Sequence, residues 1–338
     1  MSNHFQANFS LKNYNTFGID VAAKSFIEVN SVFELQELLV ANRQPIMILG
    51  GGSNMLLTKD LEVLVVKNNI LGRVVTEENE SGVEVAIGGG ENWHEIVLWT
   101  IENNWGGIEN LSLIPGTVGA SPIQNIGAYG VELKDVFVKL EAVEIATGDL
   151  HTFTKEECEF GYRDSIFKRK LKGKFCITQV YFNFKKAPHQ LSTGYGAIQT
   201  ELANNEIKNP TIQDVSNAVI AIRSSKLPDP KVLGNSGSFF KNPEIERTEF
   251  ERLQREFPKV VFYELANGKV KVPAGWLIEQ AGWKGKRVGN TGAHAKQALV
   301  LVNYGGATGS EVWQLAMDIQ QSVKDKFGIE ITPEVNVL

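Results

Sequence analysis

The sequence predicts an α+β protein of more than one unit. Three observations predict it: the length, the alternation of strand-like apolar runs with amphipathic helical stretches, and a polar break after the midpoint. At 338 residues the chain exceeds the usual size of one domain. Hydrophobic residues make up 43% and charged residues 22%, an ordinary globular composition that argues against a disordered or fibrous chain. Ser31 followed by Glu34 has the spacing of a capping box, opening a helix whose apolar face carries Leu35, Leu38 and Leu39. Residues 45–49 are apolar and run into Gly50-Gly51-Gly52-Ser53-Asn54, after which 63–66 form a second apolar run. Strand, glycine loop, strand is the expected local order.

Val83, Val85 and Ile87 alternate toward a second glycine cluster, Gly88, Gly89 and Gly90; behind Asn92 and Glu95, residues Trp93, Ile96, Val97, Thr100 and Ile101 recur at helical spacing. The stretch 114–122, continuing through Gln124, Asn125 and Gly127, is too rich in glycine and proline for a regular element and predicts an ordered functional loop or a poor linker. Residues 134–153 and 175–184 alternate as paired strands do, so the first 185 residues read as one mixed unit. The polar segment 185–209 reads as a boundary. A helix from about 212 to 224 is stopped by Pro228 and Pro230, and the last third reads as a second unit closing on a strand-like tail, 329–338.

A net charge of −5 and a pI near 5.7 provide no broad basic field, which argues against a nucleic-acid partner. Residues 1–10 lack a cationic stretch followed by an apolar run, and no window reaches the roughly 18 apolar residues of a membrane span; a cytoplasmic location without membrane contact is expected. The two cysteines, Cys158 and Cys176, have neither C-x-x-C spacing nor companion histidines, so buried or idle thiols and no metal site are expected.

Familiar nucleotide signatures are missing. No G-x-G-x-x-G occurs and no glycine-lysine pair is followed by Ser or Thr, which disfavours Rossmann and P-loop folds. His94-Glu95 is followed by Leu98 where a zinc protease has its second histidine, and no G-x-S-x-G elbow is present. What remains is the side-chain-poor loop 50–54 after a buried strand, where backbone N–H groups can converge on a pyrophosphate; on its own it reads equally as a tight turn. Two further loops of like character within 80 residues favour a long ligand that touches several loops.

Specificity comes from a set of separated strings: Gly161-Tyr162-Arg163-Asp164-Ser165, the run 234–243 (GNSGSFFKNP), the run 273–279 (PAGWLIE), Gly292-Ala293-His294-Ala295 and the terminal Pro333-Glu334-Val335. With Gly50-Gly51-Gly52-Ser53-Asn54 and the run 114–120 (IPGTVGA), they make the chain resemble the UDP-N-acetylenolpyruvoylglucosamine reductase family, MurB, from about Asn15 to the C-terminus. Gly194-Tyr195-Gly196 resembles the type I branch, which carries an extra loop over the substrate. The resemblance implies a two-lobed FAD-binding region of the vanillyl-alcohol-oxidase (PCMH) type plus a C-terminal α+β substrate-binding domain. Its expected limits are lobe 1 over 1–66, to which the tail 329–338 returns; lobe 2 over 67–188; a substrate-covering loop and linker over 189–211; and the substrate domain over 212–328.

The resemblance also implies the chemistry: tightly bound, non-covalent FAD takes hydride from NADPH and passes it to the enolpyruvyl group of UDP-N-acetylenolpyruvoylglucosamine, giving UDP-N-acetylmuramate for peptidoglycan, in a monomeric enzyme. Hydride addition to an enolpyruvyl ether drives negative charge toward its carboxylate, which needs an electrophile, and leaves a carbon that needs a proton. By the match, Arg163 binds that carboxylate, Ser238 supplies the proton and Glu334 shares the stabilisation. Read from the residues alone, Arg163 serves as well for an ion pair with Asp164 or another carboxylate, Ser238 for a turn contact and Glu334 for a solvated charge. The flavin contacts implied are Gly50, Gly51, Gly52, Ser53, Asn54, Pro115, Gly116, Ser121, Gln124, Gly127, Ala128 and Arg223. The substrate contacts are Tyr195, Lys226 and Asn242 at the diphosphate, with Lys284 and Gln297 in the same cleft; as sequence alone, all five also read as surface polar residues.

One departure stands out: Asn336 occupies the position where the family often has arginine, so the flavin contact there is expected to be weaker or supplied elsewhere. Two rival readings are weighed against the family. A carbohydrate oxidase using dioxygen commonly tethers flavin through histidine, and no histidine lies between His4 and His94. A silent FAD- or UDP-sugar-binding sensor has no need of Arg163, Ser238 and Glu334 together.

Overall fold

The computed structural model describes residues 5–338; His4 and the rest of 1–4 lie outside the described residues. In chain order the elements begin with strand β1 (Gln6–Ser10), β2 (Ala22–Val29), helix α1 (Val32–Ala41), β3 (Ile46–Leu49), β4 (Met55–Leu56), β5 (Leu61–Asn68), β6 (Arg73–Glu78), β7 (Gly82–Gly88) and α2 (Trp93–Glu102). They continue with β8 (Gly127–Ala128), β9 (Val131–Glu132), β10 (Phe137–Glu144), β11 (Leu150–Thr154), β12 (Phe175–Lys185), α3 (Gly196–Asn204) and α4 (Ile212–Lys226). Then come β13 (Gly234–Ser238), β14 (Glu244–Ile245), α5 (Arg247–Glu256), β15 (Tyr263–Glu264), β16 (Val270–Lys271) and α6 (Ala274–Gln280). The chain ends with β17 (Arg287–Val288), β18 (Thr291–Ala293), β19 (Val300–Asn303), α7 (Gly309–Phe327) and β20 (Asn336–Val337). Among the described residues no helix is long and apolar enough to cross a membrane.

The described residues form two compact units, one running up to residue 9 and over 23–51 and 62–225, the other over 10–22, 52–61 and 226–338. The first unit holds a four-stranded sheet in the order β1-β2-β5-β3, with β3 parallel to β5 (Ile46↔Leu64), and a five-stranded antiparallel sheet in the order β11-β10-β12-β7-β6. The α1 start follows the expected cap, Ser31 Oγ accepting from Glu34 N at 3.1 Å, but the returning Glu34 carboxylate accepts from Asn30 N at 2.8 Å, one residue earlier than a strict capping box. Leu35, Leu38 and Leu39 bury against Ile27, Val29, Leu64, Val66 and Cys176. The α2 stripe of Trp93, Ile96, Val97 and Ile101 packs with Val83, Val85 and Ile87 of β7 and Phe182 and Phe184 of β12. Period 3.6 on the helix meets period 2 on the strands.

The polar segment read as a boundary contains an element that polarity hid. Within 185–209 the chain forms α3, whose buried Ile198 and Leu202 pack against Ala218, Val219 and Ile222 of α4. Two buried residues one turn apart, with Ala197 packed beside them, dock a nine-residue helix on a neighbour, and most of its other residues face water and carry the polar signal.

The second unit contains the antiparallel sheet β13-β19-β18-β17, the small sheet β14-β16-β15 and a parallel pair of β20 with β4 (Asn336↔Met55). Its long helix α7 opens on a full capping box, Thr308 Oγ1 accepting from Glu311 N at 3.2 Å and the Glu311 carboxylate accepting from Thr308 N at 2.7 Å, and stops at Gly328 in the left-handed conformation, φ 71°. Gly309 begins the helix because a Cβ there would lie 1.8 Å from the Leu57 carbonyl oxygen.

Cys158 and Cys176 are free and buried, and burial pushes both thiols up to about 12. Unfolded thiols ionise near about 8.5, so the folded state favours the neutral form. That contribution is full below about 8.5 and is lost as pH rises through about 12. The native protein is therefore expected to leave both thiols unreacted with an aromatic disulfide reagent at pH near 8 and to react at both in denaturant. Its denaturation midpoint should fall as pH climbs above about 9.

Candidate functional site

In the first unit the glycine segments pack on one another with no room for side chains. A Cβ on Gly51 would lie 2.7 Å from Gly116 Cα, and one on Gly50 would lie 2.8 Å from Thr117 Oγ1. The segment 116–119 is held by backbone bonds: Trp93 N donates to Gly116 O at 3.1 Å, Val118 N to Glu91 O at 2.9 Å and Gly119 N to Gly89 O at 2.8 Å. Gly89 itself would place a Cβ 2.3 Å from Ile177 O. The loop read as either functional or a linker is thus ordered, in short 3-10 turns at 118–120 and 122–124. Lys67 Nζ donates to Gly50 O at 2.9 Å, its amine pushed below the usual lysine range by burial.

Pro115 is exposed at the tip of this loop. Ser121 is buried and donates to Val118 O at 2.6 Å, and Gln124 Oε1 accepts from Lys168 Nζ at 3.4 Å. Gly127 and Ala128 form β8, paired antiparallel with β9. Arg223, on α4, is hydrogen-bonded to the Tyr129 phenol; burial lowers its guanidinium, and burial raises the phenol against the opposing pull of that cation. Its Nε is buried without a protein partner, as is Asn110 Oδ1.

Arg163 lies in a tight turn closed by Gly161 N donating to Asp164 O at 3.0 Å, with Arg163 in the left-handed region, φ 52°. The ion pair with Asp164 that the sequence left open goes elsewhere: the Asp164 carboxylate binds Arg169 Nη1 at 2.8 Å. Tyr195 precedes α3, 44% exposed, with its ring edge-on to Tyr129 at 5.3 Å.

The second unit brings Ser238 and Glu334 together. Ser238 ends β13 after a break in register with β19, Asn235 pairing Val302 and Ser238 pairing Val300. Gly237 inside that break has φ 69°, a conformation glycine adopts without strain, and the Asn235 side chain accepts from Gly237 N at 2.9 Å. The bulge leaves Ser238 exposed while Phe239 and Phe240 point into the core. Residues 239–241 run antiparallel to 332–334: Glu334 N donates to Phe239 O at 2.8 Å and Lys241 N to Thr332 O at 2.9 Å.

Three of the loop residues belong to this unit. Gly52 has φ 62° and would place a Cβ 1.9 Å from Tyr14 O. Ser53 is half-buried, and Asn54 Nδ2 donates to Glu334 O at 3.5 Å while its own carbonyl accepts from Asn336 Nδ2 at 3.0 Å. Asn336 thus serves the β4–β20 pairing. Asn242 Oδ1 accepts from Ala274 N at 2.9 Å, capping α6. Lys226 is exposed. Lys284 is paired with Glu279 at 2.9 Å, and Gln297 Oε1 is turned onto its own loop, 3.4 Å from Leu299 N. Sequence reasoning missed Tyr129 and Asn110, because nothing in a lone tyrosine or asparagine signals a buried partner.

Comparison with known proteins places these loops. Residues 23–154 match the model of an FAD binding domain, and 229–338 match that of the UDP-N-acetylenolpyruvoylglucosamine reductase C-terminal domain. The chain is 57% identical to a Flavobacterium johnsoniae protein named UDP-N-acetylenolpyruvoylglucosamine reductase, over 98% of this chain and 99% of that one. It belongs to the UDP-N-acetylenolpyruvoylglucosamine reductase family. A Pseudomonas aeruginosa member is 48% identical with both chains fully covered. The crystal structure of the Thermus caldophilus member, at 22% identity, covers 99% of each chain with a TM-score of 0.70, which bears on the fold. The architecture is accordingly an FAD-binding region of the PCMH type followed by the family's C-terminal domain, and the chain is an FAD-dependent oxidoreductase.

The first unit fits FAD. Gly50 and Gly51 leave no room for a Cβ against residues 116 and 117, so the two loops meet as bare backbone, and Arg223 keeps a buried, unpartnered N–H next to a charge suited to an anionic group. Gly51→Ala forces a methyl into Gly116 and costs roughly 1–3 kcal/mol of packing. The variant is expected to bind FAD roughly tenfold more weakly or worse, measured by fluorescence quenching on titrating FAD into deflavinated protein.

Proposed function

We propose that this chain reduces UDP-N-acetylenolpyruvoylglucosamine to UDP-N-acetylmuramate with NADPH as the hydride donor. The reaction class is that of its family, to which the 57% identity over nearly the whole chain assigns it. Bound FAD supplies the hydride relay between NADPH and the enolpyruvyl group. The single structural observation that supports the proton step is the bulge at Gly237, which leaves the Ser238 hydroxyl exposed beside a peptide that is bonded to Glu334.

Arg163 is assigned the substrate carboxylate. Its planar, permanently charged guanidinium suits two-point binding of a carboxylate and stabilises charge that builds there as hydride arrives at the methylene carbon. Asp164, which would otherwise compete for that cation, is occupied by Arg169. Ser238 is assigned the proton delivered to the carbon beside the carboxylate. A serine hydroxyl is a weak acid, and it serves only a strongly basic carbon held within hydrogen-bond distance and away from water. Its own oxygen is then reprotonated from solvent. Glu334 is assigned to the same charge-bearing end of the substrate, with its backbone anchored through Phe239.

For the diphosphate, Lys226 offers an exposed point charge and Asn242 the amide N–H₂ that capping of α6 leaves uncommitted. Tyr195 has its hydroxyl edge carried on a ring steadied by Tyr129. Lys284 and Gln297 contribute only after releasing Glu279 and their own loop. Gly50, Gly51, Gly52, Ser53, Asn54, Pro115, Gly116, Ser121, Gln124, Gly127, Ala128 and Arg223 are assigned to the flavin, Gly51, Gly116 and Arg223 on the geometry above.

The test is anaerobic stopped-flow at the flavin absorbance. Protein reduced with NADPH is mixed with UDP-N-acetylenolpyruvoylglucosamine, for wild type and Ser238→Ala. Wild type is expected to reoxidise rapidly, and Ser238→Ala to reoxidise roughly 10²–10⁴-fold more slowly while its reduction by NADPH is unchanged. A wild-type flavin that reduces but ignores the substrate would assign the chain to binding without turnover.

A further inference from the structure

We propose that His94 is a positioning residue for the flavin loop: its Nδ1 accepts the N–H of Leu113 and holds that residue in a left-handed conformation, which sets the path of Ile114, Pro115 and Gly116. The proposal rests on the FAD-binding reading of this unit.

The geometry is specific. Leu113 N lies 3.0 Å from His94 Nδ1, and Leu113 has φ 58°, a backbone region that residues with a Cβ rarely occupy without local support. The next three residues lead to Gly116, whose Cα comes within 2.7 Å of where a Gly51 Cβ would be. A small error in the direction of the chain at Leu113 therefore becomes either a clash or a gap between the two glycine loops. The neighbouring Trp93 is committed on the same segment: Nε1 donates to Leu111 O at 3.0 Å and the backbone N donates to Gly116 O at 3.1 Å. The first turn of α2 thus grips residues 111, 113 and 116. Only the grip at 113 uses a side-chain acceptor, and only there is the backbone strained.

The bond also dictates the imidazole's form. An Nδ1 that accepts carries its lone pair, so the ring is neutral with its proton on Nε2. The surroundings favour that form: burial, then the Arg223 cation, push the imidazole below its ordinary range, with Glu95 opposing them. His94 has no part in the chemistry assigned to Arg163, Ser238 and Glu334.

The test is FAD affinity, read by fluorescence quenching in deflavinated protein, for wild type, His94→Asn, His94→Gln and His94→Leu. Asparagine places an acceptor oxygen at the δ position; glutamine is as polar but carries its acceptor one bond farther out; leucine has none. His94→Leu and His94→Gln are expected to bind FAD roughly tenfold more weakly, and His94→Asn within roughly threefold of wild type, as the loss and retention of one part-buried hydrogen bond require. Affinity that is unchanged in all three variants, or lowered alike in Asn, Gln and Leu, overturns the proposal. Wild-type binding reports separately on the FAD reading, and failure there overturns both. Should His94→Leu not fold, the ratio between Asn and Gln decides.

Discussion

A gap too narrow for a methyl group governs the flavin-binding unit. With 2.7 Å between a would-be Gly51 Cβ and Gly116 Cα, two loops 65 residues apart can meet only as bare backbone. Bare backbone is also what a pyrophosphate or an aromatic ring system needs to approach closely. The rest of the unit fixes the two loops. The first is anchored by parallel pairing of β3 with β5 and by Lys67 on the Gly50 carbonyl. The second is stitched to α2 and to the segment after β7 by three backbone bonds. The glycines at the contact have no side chains to order them, so much of that order comes from the strands and the helix around them.

The side chains to which the chemistry is assigned lie on backbone that is locally unusual. Arg163 has φ 52° at the tip of a two-bond turn, and Ser238 follows Gly237 with φ 69° in a broken ladder. In a regular strand, successive side chains alternate between faces. The break at 235–238 suspends that alternation and keeps Phe239 and Phe240 buried while Ser238 stays exposed. Backbone strain of this kind persists only where the surroundings hold it, and here they do: Asn235 on Gly237, Glu334 on Phe239, Arg169 on Asp164.

Buried charge is the other constraint. Arg223 is half-buried, hydrogen-bonded to the Tyr129 phenol and with its Nε–H buried and left over. A buried cation that is incompletely satisfied costs stability unless something anionic completes it. The flavin contact assigned to Arg223 would supply such a partner. The same cation helps keep His94 neutral, which links the charge of the site to the shape of its loop.

Much of this was legible in the chain. The α1 and α2 helices, the β7, β10 and β12 strands and all three glycine loops follow from apolar periodicity and from residues that permit or forbid particular dihedrals, which are local properties. The separated strings identified the family because short runs such as 161–165 and 234–243 combine turn geometry with distinctive polar side chains. Other features were decided only by tertiary structure. The α3 helix lay hidden in a polar segment because two buried residues were enough to dock it. Asn242 became a helix cap, Lys284 an ion-pair member and Asn336 a strand contact, since a polar side chain's partner depends on what the fold brings within about 3 Å. His94 read only as half of a missing zinc motif. Its bond to Leu113, nineteen residues away, exists because α2 and the flavin loop pack together, and no spacing in the sequence announces such a contact.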